Sequence, residues 1–190
     1  MMKKILFLIA TVFMFSSCSY NKMVGMDEQV GKQWAQVQSS YQRRADLIPN
    51  LVATVKGYAA HEQETLQAVV EARAKATGVN VDPTKMDAAQ MQAFQNAQSG
   101  LSGALSRLMV VVEKYPDLKA NQNFLELQAQ LEGTENRINV ERMKFNETVQ
   151  TYNSYIRAFP RIIYASWFGF EKKVYFEAVA GSEKAPEVQF

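Results

Sequence analysis

Residues 30–59 read VGKQWAQVQSSYQRRADLIPNLVATVKGYA, and the spacing of their apolar side chains sets the architecture of the chain. Apolar residues recur at intervals of three and four: Val30, Trp34, Val37, Tyr41, Ala45, Ile48, Val52, Val55 and Ala59. That interval places them on one face of an α-helix, with a period close to 3.5 residues. The stripe continues through Leu66 and Val69 to about Ala76, so it predicts one long amphipathic helix.

Pro49 interrupts this stripe. A proline inside a helix removes one backbone hydrogen bond and clashes with the preceding turn. We expect a kink at Pro49, because the stripe keeps its phase across it. The alternative is two helices with a break near Ile48.

Two more long helices follow from the same reasoning. Residues 77–83 include a glycine and a proline that favour the end of one helix and the start of the next. We predict a second helix over 86–114 and a third over 115–159, which Pro160 ends. Their stripes are Met91, Phe94, Gln98, Leu101, Leu105, Leu108 and Val112 in the second helix, and Leu127, Leu131, Thr134, Ile138, Phe145, Val149, Tyr152 and Ile156 in the third.

These stripes predict an all-α fold, an antiparallel bundle of three long helices plus a short C-terminal helix. Short connections suit antiparallel neighbours. The short helix is expected over 161–167, and residues 170–180 could continue it after Gly169. Gly100 and Gly103 weaken the second helix by roughly 1 kcal/mol each relative to alanine, and we expect them to let a neighbouring helix approach closely.

The N-terminus has the order of a secretory signal peptide. Lys3 and Lys4 precede an apolar run over 5–15, and two serines lead to Cys18, the one cysteine of the chain. The run is too short for a membrane-spanning helix, which needs about 20 apolar residues. A cysteine directly after the small pair resembles a bacterial lipoprotein signal, in which acyl chains such as palmitate are attached to the thiol. The alternative is an ordinary secreted protein with an incidental thiol.

This interpretation divides the chain into four parts. Residues 1–17 are a lipoprotein signal peptide, 18–26 a lipid-anchored tether, 27–180 the helical bundle and 181–190 a polar C-terminal tail. Without the two signal lysines, the mature chain carries 19 basic and 19 acidic residues. A neutral chain argues against nucleic-acid binding, which requires a strong basic excess.

No motif predicts a cofactor, a metal or catalysis. The single cysteine excludes disulfides and thiolate metal sites within the chain. His61 is the only histidine and is expected at a helix surface or boundary, because metal sites need several ligands. The chain has no HExxH, no GxSxG and no glycine-rich phosphate loop. We therefore predict a protein that is not an enzyme.

Polar residues gather at the middle of two predicted helices. In the third helix, Glu141 and Arg142 fall where the stripe requires an apolar residue. If the helices pack antiparallel, these residues meet polar residues of the first helix. The candidate set is Arg43, Arg44, Asp46, Asn50, Glu135, Asn136, Arg137, Glu141 and Arg142. One interpretation is a paired polar layer that fixes helix register. The other is a ligand or acid–base site built from Arg44, Asp46, Glu135, Arg137 and Glu141.

The C-terminal region is rich in aromatic residues. The candidates for a partner surface are Tyr164, Trp167, Phe168 and Phe170. They either close one end of the bundle or contact a protein or a bilayer, because aromatic side chains anchor both kinds of interface.

Three strings resemble the LemA family. Residues 41–52 (YQRRADLIPNLV) are similar to its first signature. Residues 115–120 (YPDLKA), followed by Phe124–Leu125 and residues 131–138 (LEGTENRI), are similar to the second. The segment from 142 through Tyr152–Asn153 to Phe159–Pro160 is similar to the third.

The resemblance implies a bacterial, membrane-attached, extracytoplasmic bundle of long antiparallel helices. Proteins of this family commonly carry an N-terminal transmembrane helix, and this sequence differs in showing a lipoprotein-type signal. No catalytic residues are implied, because no enzymatic activity is established for the family.

Three functions remain open from sequence. The leading hypothesis is a non-enzymatic scaffold or adaptor, anchored by lipidated Cys18 and facing the periplasm or the outside of the cytoplasm, with an unidentified envelope protein as partner. The second is a ligand-binding protein or enzyme that uses the polar layer. The third, membrane remodelling by an amphipathic helix, is disfavoured by the neutral mature chain because such helices are usually basic.

Overall fold

The computed structural model describes the backbone of residues 2–83 and 86–177, and the side chains of 19–83 and 86–177. Its regular structure is helical throughout this part of the chain. The helices are α1 (Met2–Tyr58), α2 (Gln63–Gly78), α3 (Ala88–Val112), α4 (Pro116–Lys119), α5 (Gln122–Arg157) and α6 (Arg161–Ala165). The predicted all-α class is confirmed.

The long helices pack antiparallel to their neighbours. α1 and α5 form the most extensive pair, in which Arg44 lies opposite Glu135 and Gln33 lies opposite Glu141. α2 returns along α1, since the Arg73 Nε donates to the Ala45 carbonyl at 2.7 Å. α3 returns along α2, where the Gln98 side chain donates to the last turn of that helix.

The apolar core is divided into two clusters. The first cluster surrounds Trp34 of α1 and Phe145 of α5. It is formed by the part of α1 that precedes Arg44 and by the C-terminal half of α5. The second surrounds Ile48 and Leu108, with α2 completing it. The predicted stripes line both clusters. Every stripe residue named above for α1, α3 and α5 is buried, except that Val52, Leu105 and Leu127 are partly buried.

The predicted long first helix is wrong in one respect. It ends at Tyr58, and residues 59–62 turn the chain back into α2. Leu66 and Val69 of α2 contact the same cluster as Ile48 of α1, so both arms of the hairpin carry a core-facing stripe. Because the apolar spacing is the same in both arms, the sequence pattern resembles that of one continuous helix. Pro49 lies inside α1, so the alternative of a break near Ile48 is also wrong.

The predicted third helix is likewise divided. α4 is a single turn, and α5 begins after Asn121, whose side-chain oxygen accepts from the Phe124 backbone N–H at 3.1 Å. Asparagine is a preferred N-cap because it satisfies a backbone donor that the helix leaves free. The expected bundle of three long helices and one short helix therefore becomes a bundle of α1, α2, α3 and α5.

The C-terminal segment is extended where a helix was possible. Residues 170–177 have no helical structure and lie against α5. The Asn153 side chain exchanges two hydrogen bonds of 2.9 Å with the backbone of Lys173, and Asn146 does the same with Phe176 at 2.8 and 3.0 Å. The Phe176 ring stacks on Trp34 at 5.7 Å. This segment completes the first cluster as α2 completes the second.

The predicted tether, residues 18–26, is helical along its whole length. Residues 19–26 belong to α1, and the Met23 side chain is fully buried in the first cluster. The folded core therefore begins before residue 27. The side chains of the predicted signal peptide and of Cys18, and the whole of 181–190, lie outside the described residues.

Two further findings concern helices. A methyl group added at Gly100 or Gly103 would meet no neighbouring atom within 4 Å, so the expected close helix approach there is wrong. Among the helices whose side chains are described, none combines the length and the apolar character needed to cross a bilayer.

Candidate functional site

Arg44 is the centre of a polar layer between the two apolar clusters. Its side chain is 3 % exposed, and its Nη1 lies 2.6 Å from the Glu135 carboxylate. The same guanidinium donates to Ser102 Oγ at 3.0 Å and to Gln98 Oε1 at 2.8 Å. The Gln98 amide then donates to the Ala76 carbonyl at 3.1 Å. One cation thereby links α1, α3 and α5, and through Gln98 it reaches α2.

The layer opens to solvent on the Glu135 side. The Glu135 side chain is 49 % exposed, so water reaches one end of an ion pair whose other end is buried. A cleft of about 280 Å³ lies beside it, lined in part by Tyr41, Arg44 and Arg142. Burial raises the pKa of the Tyr41 hydroxyl, against the opposing charges of the two arginines.

Glu141 forms a second polar centre one to two turns further along α5. Its buried carboxylate accepts from Gln33 Nε2 at 2.8 Å and pairs with Arg137 at 2.8 Å and Lys144 at 3.4 Å. Burial raises the pKa of Glu141, but the hydrogen bonds and charges of these neighbours outweigh it, and the net shift is downward. Glu141 is therefore ionised at neutral pH and is not poised as a general acid.

The predicted candidate set does not form one layer. Of the predicted pairings between the middles of α1 and α5, the structure brings Arg44 to Glu135. Arg142 instead donates to the Glu177 carbonyl at 3.1 Å and lies 4.9 Å from the Phe176 ring. Asp46 accepts from Gln42 at 2.7 Å on the outer surface of α1. The remaining candidates, Arg43, Asn50 and Asn136, are exposed.

Arg43 and Arg137 line a separate groove between α1 and α5. The groove has a volume of about 630 Å³ and is otherwise lined mainly by small and uncharged polar side chains, among them Ser39 and Thr134. Its two cations and its hydroxyl groups could accommodate a small anion.

Four residues of the polar centres were missed as site residues from sequence: Gln33, Gln98, Ser102 and Lys144. A signal existed for Gln98, because it is a polar residue at a stripe position of α3. Gln33 and Ser102 carry no such signal. They become partners only when another helix brings a charge to them. In the part of the chain with described side chains, no three His, Cys, Asp or Glu residues are grouped to hold a metal, and His61 is exposed in the turn between α1 and α2.

The four aromatic candidates at the C-terminus divide into two pairs. Tyr164 and Phe170 are partly buried against the first cluster, whereas Trp167 and Phe168 are exposed. The Tyr20 ring of α1 lies 5.0 Å from Phe168 and 5.7 Å from Phe170. The aromatic end of the bundle is thus the end from which the N-terminal part of α1 leaves.

Comparison with known proteins identifies relatives over most of the chain. The family model described as "LemA family" matches residues 33–190. Magnetosome protein MamQ 2 of Paramagnetospirillum magneticum is 27 % identical over 186 residues, covering 89 % of this chain and 67 % of that protein. Magnetosome protein MamQ of Magnetospirillum gryphiswaldense is 28 % identical over 176 residues, covering 83 % and 64 %. Protein LemA of Metamycoplasma hominis is 25 % identical over 166 residues, covering 86 % and 69 %. About a third of each relative lies outside the alignment.

Proposed function

The chain belongs to the LemA family, and from this premise we propose that it is a lipid-anchored, non-enzymatic scaffold or adaptor of the bacterial cell envelope. The observation that carries the proposal is the state of the polar core. The buried Arg44 guanidinium donates hydrogen bonds to three side chains from two other helices, so these hydrogen bonds join helices of the bundle. Glu141 is held as an ionised carboxylate by three neighbours. Both features support a rigid bundle.

The anchor is Cys18, whose backbone lies in α1 two residues before Tyr20. Each buried methylene of an acyl chain contributes about 0.8 kcal/mol of membrane affinity, and stable attachment needs more than one chain. Lipoprotein cysteines carry two or three chains. We propose that the bundle faces the periplasm or the outside of the cytoplasm, attached through this residue.

The anchor is tested by fatty-acid labelling and fractionation of the full chain in cells. The wild-type protein should incorporate an alkyne-tagged fatty acid and sediment with membranes. The Cys18→Ser variant should lose the label. A wild-type chain that takes up no label, or a variant that labels equally, would contradict lipid attachment at Cys18.

The adaptor role is tested by crosslinking in native membranes. A photo-crosslinking amino acid at Met143, which is 65 % exposed on the outer face of α5, should give one discrete protein adduct. A matched probe at Val110, 68 % exposed on α3, reports whether the adduct belongs to a particular face. If probes on all sides of the bundle give no discrete protein adduct, the adaptor proposal fails.

A second function, binding of a small anion, is favoured by the groove that Arg43 and Arg137 line. Inorganic phosphate is a suitable probe because arginine forms strong, charge-assisted hydrogen bonds with it. Millimolar phosphate should raise the thermal midpoint of the wild-type chain more than that of the R43Q/R137Q variant, relative to matched chloride. Equal shifts in both proteins would exclude an anion site in the groove.

A further inference from the structure

We propose that the end of the bundle around α6 is a bilayer-contacting surface that sits among anionic phospholipid headgroups. We call it the end patch, and it consists of Phe159, Ile162, Ile163, Trp167 and Phe168. The inference rests on the membrane attachment proposed above only to bring this end of the molecule to a bilayer. It adds an orientation and a second, non-covalent contact with lipid.

The first observation is the concentration of exposed apolar side chains. Among the side chains that the structure describes, thirteen large apolar ones are exposed, and five of them fall between residues 159 and 168. Phe159 and Trp167 are each 80 % exposed, and the other three are about half exposed. Exposed apolar patches of more than a few hundred Å² on soluble domains usually mark a contact surface.

The second observation is the position of this patch beside the predicted anchor. The Tyr20 ring packs edge-on against Phe168 at 5.0 Å, and Cys18 precedes Tyr20 by two residues of the same helix. Two helical residues advance about 3 Å along the axis. An acyl chain on Cys18 would therefore enter the bilayer close to Phe168. A bundle held at that point presents α6 to the lipid surface.

The third observation is the charge around the patch. Arg157 and Arg161 lie at its edge, and no acidic residue occurs between Glu147 and Glu171. The Arg161 guanidinium lies over the Tyr155 ring at 4.0 Å, and the Lys22 ammonium lies over the same ring at 4.9 Å, which adds a third cation beside the patch at this end. The adjacent Glu171 and Lys172 are of opposite sign. The net positive edge favours anionic headgroups.

The composition distinguishes a bilayer from a protein partner. The end patch combines tryptophan, isoleucine and phenylalanine with neighbouring arginine and lysine. This combination is found at membrane interfaces, where apolar side chains enter the boundary of the acyl chains and cations contact lipid phosphates. A protein partner on this end would have to fit between the patch and the lipid attached at Cys18. The bilayer is therefore the occupant that the geometry favours.

Tryptophan fluorescence gives a direct test, because the chain has two tryptophans in opposite environments. Trp34 is fully buried in the core, whereas Trp167 is in the end patch. The full-length lipidated protein is reconstituted into vesicles of phosphatidylglycerol and brominated phosphatidylcholine, whose bromine quenches tryptophan on contact. In the W167F variant only Trp34 emits, and its emission should not be quenched. In the wild-type protein the additional emission, which comes from Trp167, should be quenched.

The outcomes separate this inference from the proposed anchor. Wild-type protein that floats with vesicles but shows no quenching of Trp167 overturns the end patch and leaves the anchor standing. The C18S protein should still bind anionic vesicles weakly, with Trp167 quenched, and I162S/I163S should reduce that binding at least five-fold. V110S, which changes a still more exposed apolar residue on α3, is the control for loss of exposed apolar surface and should bind as C18S does.

Two results would refute the lipid surface even if the protein binds vesicles. Equal binding of the I162S/I163S and V110S variants in the C18S background would remove the end patch from the contact. A photo-crosslinker at position 167 that forms protein adducts and no phospholipid adducts in native membranes would assign the patch to a protein partner.

Discussion

Removing the Arg44 side chain tests the polar layer most directly. In Arg44→Met the methionine fills much of the volume of the arginine, but the hydrogen bonds to Ser102, Glu135 and Gln98 are lost. Glu135 is half exposed and returns to water at little cost. Gln98 is buried, and its Oε1 loses its donor. An unsatisfied buried acceptor costs about 1–3 kcal/mol, so we expect Arg44→Met to destabilise the bundle by about 2 kcal/mol.

The reciprocal change gives the second side of a double-mutant cycle. Gln98→Leu leaves the Arg44 Nη2 without its amide partner and the Ala76 carbonyl without its donor. We expect a cost of about 2 kcal/mol again. The double variant has neither the buried cation nor the buried acceptor that needed it. Its cost should also be about 2 kcal/mol, about 2 kcal/mol less than the sum of the two single changes.

The assay is urea unfolding of the full chain, followed by far-UV circular dichroism, with the free energy taken from curves of equal slope. Arg43→Met is the matched control, because Arg43 is adjacent in sequence but exposed, and it should change stability by less than about 0.5 kcal/mol. Additivity of the two single variants to within about 0.5 kcal/mol would refute the coupling between Arg44 and Gln98.

Three other expectations follow from the contacts of single residues. Asn153→Ala removes both hydrogen bonds to the Lys173 backbone, so amide exchange at Lys173 should accelerate by roughly thirty-fold, corresponding to about 2 kcal/mol; unchanged exchange would contradict the hydrogen bonds of Asn153 to this segment. Gly100→Ala adds a methyl group into open space within α3 and should raise stability by about 1 kcal/mol; a lower unfolding midpoint would show that the glycine is needed. The pKa of Glu141 lies below its ordinary value of 4.5, so its stabilising contribution is present above that pH and is lost as the pH falls through the lowered pKa of the folded state. Glu141→Gln should therefore lose less stability than wild type between neutral pH and pH 3, and equal acid sensitivity of the two proteins would contradict the assignment.

The helical character of the chain is readable from its residues alone. Period-3.5 stripes on α1, α3 and α5 predict their core-facing sides because the apolar surface of a helix is a local property of spacing. Trp34, Leu101 and Phe145 are buried where the stripes place them. The resemblance of three strings to the LemA family was available at the same stage, and the family assignment confirms it.

The polar candidates were only partly predictable. The gap in the stripe at Glu141 signalled a buried charge, and Glu141 is buried. Its partner Gln33 gave no signal, because glutamine on a helix surface is ordinary. The interpretation of one joint layer failed at Arg142, which turns instead toward the C-terminal segment. Side-chain partners depend on helix rotation and on distant segments, and spacing within one helix contains neither.

The sequence therefore carried the class of secondary structure, the core-facing sides and the family, since each is encoded in neighbouring residues. The tertiary structure alone determined that the first predicted helix is divided at residues 59–62 and which segments share a core. Residues 59–62 turn because a folded-back α2 buries its stripe against Ile48, a gain that appears only when both arms are present. Asn146 and Asn153 bond to an extended backbone rather than to water because residues 170–177 are brought to them from the far side of α6.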